Sequence, residues 1–158
     1  MPEDPENNAE ACSLPTPPPE SDVAVVQQLL RAKRIAVVGA SDDPSRASYG
    51  IVRYLLAVGK EVVPVNPNHA TVQGMTCVSA LRDVPQPIDL VNVFRRASDC
   101  PQVVRDAIDA GAGGIWLQLG IVSEEAKRIA ERAGVLFVQN RCIMVDHLHG
   151  QRGSVNLD

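Results

Sequence analysis

Residues 34–50 read RIAVVGASDDPSRASYG. An apolar run, Ile35–Val38, stops at Gly39. A polar turn follows with Ser41, Asp42, Asp43, Pro44, Ser45, Arg46 and Ser48, and a helical pattern opens at Tyr49. Strand, glycine turn and helix N-terminus in that order is how an α/β sheet builds an anion site. The first-turn N–H groups of a helix have no partner within it, and its aligned peptide dipoles place about half a positive charge at that end. A phosphate is held there without a lysine.

Outward from this corner the chain alternates. Val25, Val26, Leu29 and Leu30 share one face of a helix expected over Val23–Ala32, capped by Ser21 or Asp22. Ile35–Val38 is the first strand. A helix over Tyr49–Val58 turns Ile51, Val52, Leu55 and Leu56 inward and stops at Gly59; Glu61–Val65 is the second strand. Pro67, Gly74 and the segment Thr76–Val78 mark a turn and a short third strand, and Leu81–Val84 a helical turn before Pro85. Asp89–Phe94 is a further strand, Ser98–Ala110 a helix broken by Gly111, Gly113 and Gly114, and Ile115–Leu119 a strand ending at Gly120. Ser123 caps a helix over Glu124–Ala133, Gly134 ends it, and Val135–Val138 is the last strand. The strands are apolar runs rather than alternations, which marks strands covered on both faces. The expected class is α/β: a Rossmann-like, doubly wound parallel sheet in three layers. Residues 1–20, rich in proline and acids, are expected to form a disordered tail. Residues 21–150 are expected to form the domain and 151–158 a C-terminal tail.

The 158 residues suit a single core, and with only 3% aromatics Leu, Ile, Val and Ala must fill it. A formal charge of −4 argues against nucleic-acid binding, which needs a basic face. No apolar run approaches the ~20 residues that span a bilayer. The opening MPEDPENNAE is too acidic and polar for a secretory leader, so a cytoplasmic setting without membrane contact is expected. Cys12, Cys77, Cys100 and Cys142 form no C-x-x-C pair, which reads as free thiols with no zinc site.

In an open parallel sheet the ligand sits beyond the C-terminal strand ends. Those ends carry Gly39, Ala40 and Ser41; Asn66, Pro67, Asn68 and His69; Arg95 and Arg96; Gln118 and Gly120; and Asn140, Arg141 and Cys142. The dinucleotide fingerprint G-x-G-x-x-G is absent. Asn66 stands where a nicotinamide dinucleotide site needs a carboxylate for its ribose hydroxyls. Both points favour an adenosine diphosphate ligand other than NAD, and coenzyme A fits. The Ser41–Ser48 turn offers N–H and hydroxyl groups to the diphosphate, and Arg46 offers a bidentate fork. Against these stand plainer readings: Ser41 as a local turn residue and Arg46 as a solvated surface arginine.

The pieces IAVVGASDDPSRASYG, VVPVNPN, DLVNVFRR, GIWLQLGI and NRC, in this order, resemble the small stand-alone CoA-binding proteins, whose domain is similar to the N-terminal CoA-binding domain of succinyl-CoA ligase α subunits. The resemblance covers Val23–His147. It implies a Rossmann-like fold that binds coenzyme A or an acyl-CoA in the cytoplasm. It places Gly39, Ala40, Ser41 and Arg46 at the diphosphate, with Ser48, Tyr49 and Gly50 opening the helix beside them. Val65, Asn66 and Pro67 would line the adenosine pocket, Phe94 and Arg95 would close over it, and Gln118 would lie nearer the pantetheine arm. One departure is Asn140, where relatives often carry Asp.

The resemblance implies that the ligases sharing this domain carry a phosphorylated histidine in a second domain, and no such domain is expected within these 158 residues. His69 lies beside the expected pocket, as a phosphate contact or a surface turn residue. His147 and His149 sit in a polar C-terminal segment. Cys142, with Arg141 beside it, is either a reactive thiol able to form a mixed disulfide with coenzyme A or a buried inert one. Trp116 reads as core. The expected function is therefore binding of coenzyme A or an acyl-CoA without catalysis of its own. The alternatives are an NAD(P)-binding redox sensor or oxidoreductase, and a subunit of an acyl-CoA enzyme. A homodimer or another protein partner is compatible with each.

Overall fold

The computed structural model describes residues 20–157. The elements are α1 (Glu20–Leu30), β1 (Arg34–Val38), α2 (Ala47–Ala57), β2 (Glu61–Val65), β3 (Thr71–Val72), β4 (Met75–Thr76), β5 (Leu90–Val93), α3 (Cys100–Asp109), β6 (Gly114–Leu117), α4 (Glu124–Ala133), β7 (Leu136–Val138) and α5 (Ile143–Leu157). Short 3₁₀ turns lie at Leu81–Asp83 and Ala97–Asp99. Five parallel strands form the sheet in the order β2-β1-β5-β6-β7, and β3 and β4 form a separate antiparallel hairpin.

The strand runs are apolar because both faces are covered. Ile35, Val37, Leu90 and Trp116 pack with Leu29 of α1, Val52 and Leu55 of α2 and Ile143 of α5. Their strand neighbours Ala36, Val38, Val91, Val93, Ile115 and Leu117 pack on the other face with Val104 and Ala107 of α3 and Ala126 and Ala130 of α4. The result is the expected three-layer, Rossmann-like α/β sheet. Trp116 is fully buried, and its ring N–H donates to the Arg141 carbonyl at 2.8 Å, so the core reading of this residue holds.

Four details differ from the sequence reading. Helix α1 runs over Glu20–Leu30, which puts Ser21 and Asp22 inside the helix rather than at its cap. Helix α2 opens two residues early, at Ala47, because Arg46 takes the extended N-cap conformation. The third strand of the sequence reading is a hairpin, β3–β4, followed by a single parallel bridge from Val78 to Val65. The polar C-terminal segment, to which the sequence reading gave no helix, forms α5 as far as Leu157. The segment expected to be a disordered tail lies outside the described residues, except Glu20. Cys12 lies outside them as well. Among the described residues no helix is long and apolar enough to cross a membrane.

Candidate functional site

The strand order reverses between β1 and β5: from β1 the chain passes to β2 on one side and then returns to β5 on the other. Such a switch point opens a crevice at the C-terminal strand ends. At its head is Gly39, with φ of +87°; a Cβ there would lie 2.5 Å from the Phe94 carbonyl oxygen. Only glycine meets both conditions. The Gly39 N–H donates to the Val65 carbonyl at 3.0 Å and the Phe94 N–H to the Val38 carbonyl at 2.9 Å, so the corner is tied to both neighbouring strands.

Eight residues, Gly39–Arg46, join β1 to α2. Ser41 Oγ accepts the Asp43 N–H at 3.0 Å, and Asp43 Oδ1 accepts both the N–H and the hydroxyl of Ser45. Those two bonds, backbone first, with Arg46 nearby, hold the Asp43 carboxyl below its ordinary value. The turn is therefore organised by its own side chains, and Ser41 keeps its hydroxyl proton to donate outward. The N-cap of α2 is Arg46, with no side-chain hydrogen bond to the helix and no acid in the first turn, so the positive end of this helix has no internal counter-charge. The β3–β4 hairpin supports the turn: the Gln73 N–H donates to Asp42 Oδ1 at 2.5 Å and its side-chain amide to the Tyr49 carbonyl at 3.3 Å.

Asn66, directly after β2, uses its side chain internally. Its Nδ2 donates to the Ala40 carbonyl at 2.9 Å and its Oδ1 accepts the Asn68 N–H at 2.9 Å, which locks the ends of β1 and β2 together. Next to this lock is a cavity of about 340 Å³ lined by Val38, Val65, Pro67, Leu81, Arg95 and Asp99, among others. Its walls at the strand ends are apolar and its rim is polar, the usual make-up of a small-molecule pocket. Arg95 and Arg96 share one oxygen of Asp99, at 3.3 and 3.4 Å.

The expected site residues divide accordingly. Val65, Pro67 and Arg95 meet around this cavity. Gly39, Ala40, Asn66 and Phe94 form the corner itself. Ala40 and Ser48 are buried, Ser41 is half-buried and Arg46 is exposed. Tyr49 turns elsewhere: it lines an outer groove with Arg53 and Gln73, under the Arg53 guanidinium at 5.9 Å. A Cβ on exposed Gly50 would meet nothing within 4 Å. Gln118 stands one strand beyond β5, only 4% exposed, and donates to Asn92 Oδ1 at 2.6 Å. The sequence reading missed Gln73, which supports the turn from the hairpin, and Ser79, Ser98 and Gln102, which line the cavity, because their positions depend on where the chain folds back onto the strand ends. It also missed Asn92, which had a signal: a lone amide inside the run LVNV.

His69 is exposed. His147 belongs to α5, where its Nδ1 meets the Tyr54 hydroxyl at 2.5 Å; burial first, then Lys60, lowers its pKa. Cys142 is half-buried beside a larger cavity, about 650 Å³, at the end of β7. Arg141 is committed to Asp146 by two bonds of 2.7 and 2.9 Å, so its charge is already compensated and does not single out the neighbouring thiol. Burial pushes the Cys100 thiol up to about 11. Among the described residues no cluster of His, Cys, Asp and Glu is arranged to hold a metal ion.

A sequence profile for the CoA binding domain matches residues 33–148. The uncharacterized protein YneT of Bacillus subtilis is 39% identical over 127 residues, covering 80% of this chain and 94% of that protein. The α subunit of an ADP-forming acetate–CoA ligase II from Pyrococcus furiosus is 27% identical over 73% of this chain, which spans only 28% of the ligase subunit. Among solved structures, a hypothetical protein from Pyrococcus horikoshii superposes with a TM-score of 0.79 at 36% identity, covering 86% of this chain and 97% of that one. Prb, the PH1109 protein redesigned for binding, superposes with a TM-score of 0.76 at 38% identity, covering 80% of this chain and 89% of that one. The chain belongs to the CoA-binding domain family and is related to the corresponding region of acyl-CoA ligase subunits.

Proposed function

We propose that this protein binds coenzyme A or an acyl-CoA in the cytoplasm, as a binding module without chemistry of its own. The observation that carries the reading is the corner at Gly39, which leads into a helix whose positive end has no side-chain cap, beside a β2 end that bears an amide instead of a carboxylate. The diphosphate lies against the turn Gly39–Ser41 and the N-terminus of α2, with Ser48, Tyr49 and Gly50 supplying the first helical turn and Arg46 free to swing onto a phosphate oxygen. The adenosine enters the cavity between Val65, Pro67 and Arg95, and Asn66 holds the floor of that pocket in place; Phe94, expected to close over it, packs on the opposite face of the sheet. The neutral arm runs along the strand ends toward Gln118. The family membership supports this ligand class.

The same residues weigh against a nicotinamide dinucleotide. A ribose diol wants a carboxylate at the end of β2, and both polar atoms of Asn66 are already used. A calorimetric titration with coenzyme A, acetyl-CoA, NADH and NADPH tests the reading. Coenzyme A binds and the nicotinamide nucleotides do not; Arg46→Gln weakens coenzyme A binding by about tenfold, the value of one charge-assisted bond, with no change in the unfolding midpoint. Tight NADH binding without coenzyme A binding overturns it.

A further inference from the structure

Asn92 is fully buried in the central strand, and its Nδ2 has no hydrogen-bond partner. Its Oδ1 is satisfied by the Gln118 amide. Buried amides are nearly always paired, so an orphan donor in a core calls for a reason. Its place supplies one. Asn92 pairs across to Val37 of β1 and to Trp116 of β6. Side chains alternate along a strand, so Asn92 shares a sheet face with Gly39, Phe94 and Gln118 and lies one pleat below them. Gly39 contributes no side chain to that layer, and Gln118 turns its amide down to Asn92. Below the glycine corner the sheet thus presents two linked amides with the NH2 group of Asn92 left unpaired.

We infer that Asn92 is a specificity-determining residue for the arm of the ligand: its free N–H is kept for a neutral carbonyl oxygen of an amide- or thioester-bearing chain laid over the ends of β5 and β6. The inference rests on the coenzyme A reading. The chemistry of the surroundings selects a neutral acceptor. Val37 is aliphatic, and the Trp116 ring N–H is already bound to the Arg141 carbonyl. An anionic group at this depth would lose its hydration and find no counter-charge. A carbonyl oxygen needs only the donor that is waiting, with Gln118 moving aside to admit it.

The test separates the arm from the nucleotide. Binding of coenzyme A is compared with binding of 3′-phosphoadenosine 5′-diphosphate, which has the nucleotide and no arm. In Asn92→Leu the affinity for coenzyme A falls about fivefold to tenfold, the value of one neutral hydrogen bond, while the affinity for the arm-less nucleotide is unchanged. In the unaltered protein, the Asn92 side-chain amide protons shift downfield and exchange more slowly when coenzyme A is added, and do not respond to the nucleotide alone. This second readout needs no variant to fold. Equal losses for both ligands, no loss for either, or Asn92 protons indifferent to coenzyme A overturn the inference while leaving the binding reading intact. Failure of the unaltered protein to bind either compound overturns both.

Discussion

A methyl group on Gly39 would sit 2.5 Å from the Phe94 carbonyl oxygen, on a backbone with φ of +87°. Neither problem is solved by a side-chain rotation, because the obstacle is main chain in the central strand. Gly39→Ala is therefore expected to destabilise the fold by about 2–3 kcal/mol, combining left-handed strain with displacement of β5. For a protein of this size that is a fall of about 5–10 °C in the thermal midpoint. Urea unfolding of the variant checks it, and a midpoint equal to the unaltered protein's would show that the corner relaxes freely. At this scale the sequence was informative where a residue has one job. Gly39 ends an apolar run and has to be the turn. Asn66 was legible as the absence of an acid, but its bonds to Ala40 and Asn68 were not, because they depend on how β1 and β2 align.

Helix α5 packs on α1 and α2 and carries the link between Tyr54 and His147. Burial, and then Lys60, lowers the pKa of His147, while burial raises that of Tyr54. At neutral pH the imidazole is the neutral acceptor for the phenol. A histidine whose folded value lies below its unfolded value of about 6.5 is protonated first in the unfolded chain. Its stabilisation is complete above that unfolded value and is lost as pH falls from there through the folded value. His147→Gln should cost about 1 kcal/mol near neutral pH, one hydrogen bond's worth, and the gap to the unaltered protein should shrink as pH is lowered to ~5. Urea midpoints for the two proteins that run parallel across this range would refute the assignment. The same helix shows why elements were unevenly legible. The run IMVDHLHGQRGSVNL contains two glycines, each about 1 kcal/mol less favourable than alanine in a helix, so local preference does not announce a helix. Tertiary contacts of Ile143 and Met144 with the core override it. Helix α4 is the opposite case: Ser123 Oγ accepts the Ala126 N–H at 3.1 Å and Gly134 takes the left-handed φ of +72°, so both of its ends were readable from residue type alone.

At the scale of the molecule, the alternation of apolar runs with helical segments determined a parallel sheet, because strands buried on both faces leave no polar side to read otherwise. What it left open was strand order, and the strand order places the pocket. With β1 central between β2 and β5, the ligand crevice joins the first helix N-terminus to the cavity at Val65, Pro67 and Arg95, far along the chain from one another. A ligand that spans these parts contacts β1, β2, β5 and α2 together, and all of those contacts disappear on unfolding. Binding to the folded state alone raises stability by RT ln(1 + [L]/Kd), about 2.7 kcal/mol at a ligand concentration one hundred times Kd. Coenzyme A at that excess should therefore raise the thermal midpoint by about 5–10 °C, and NADH at the same concentration should leave it unchanged. The comparison by scanning calorimetry holds the shared part constant, since both nucleotides carry an adenosine and a diphosphate and differ in the ribose 3′-phosphate of coenzyme A and in the group attached beyond the diphosphate. A midpoint raised equally by both would mean that the crevice recognises adenosine diphosphate alone, and the roles given to Asn66 and to the strand ends beyond β5 would have to be withdrawn.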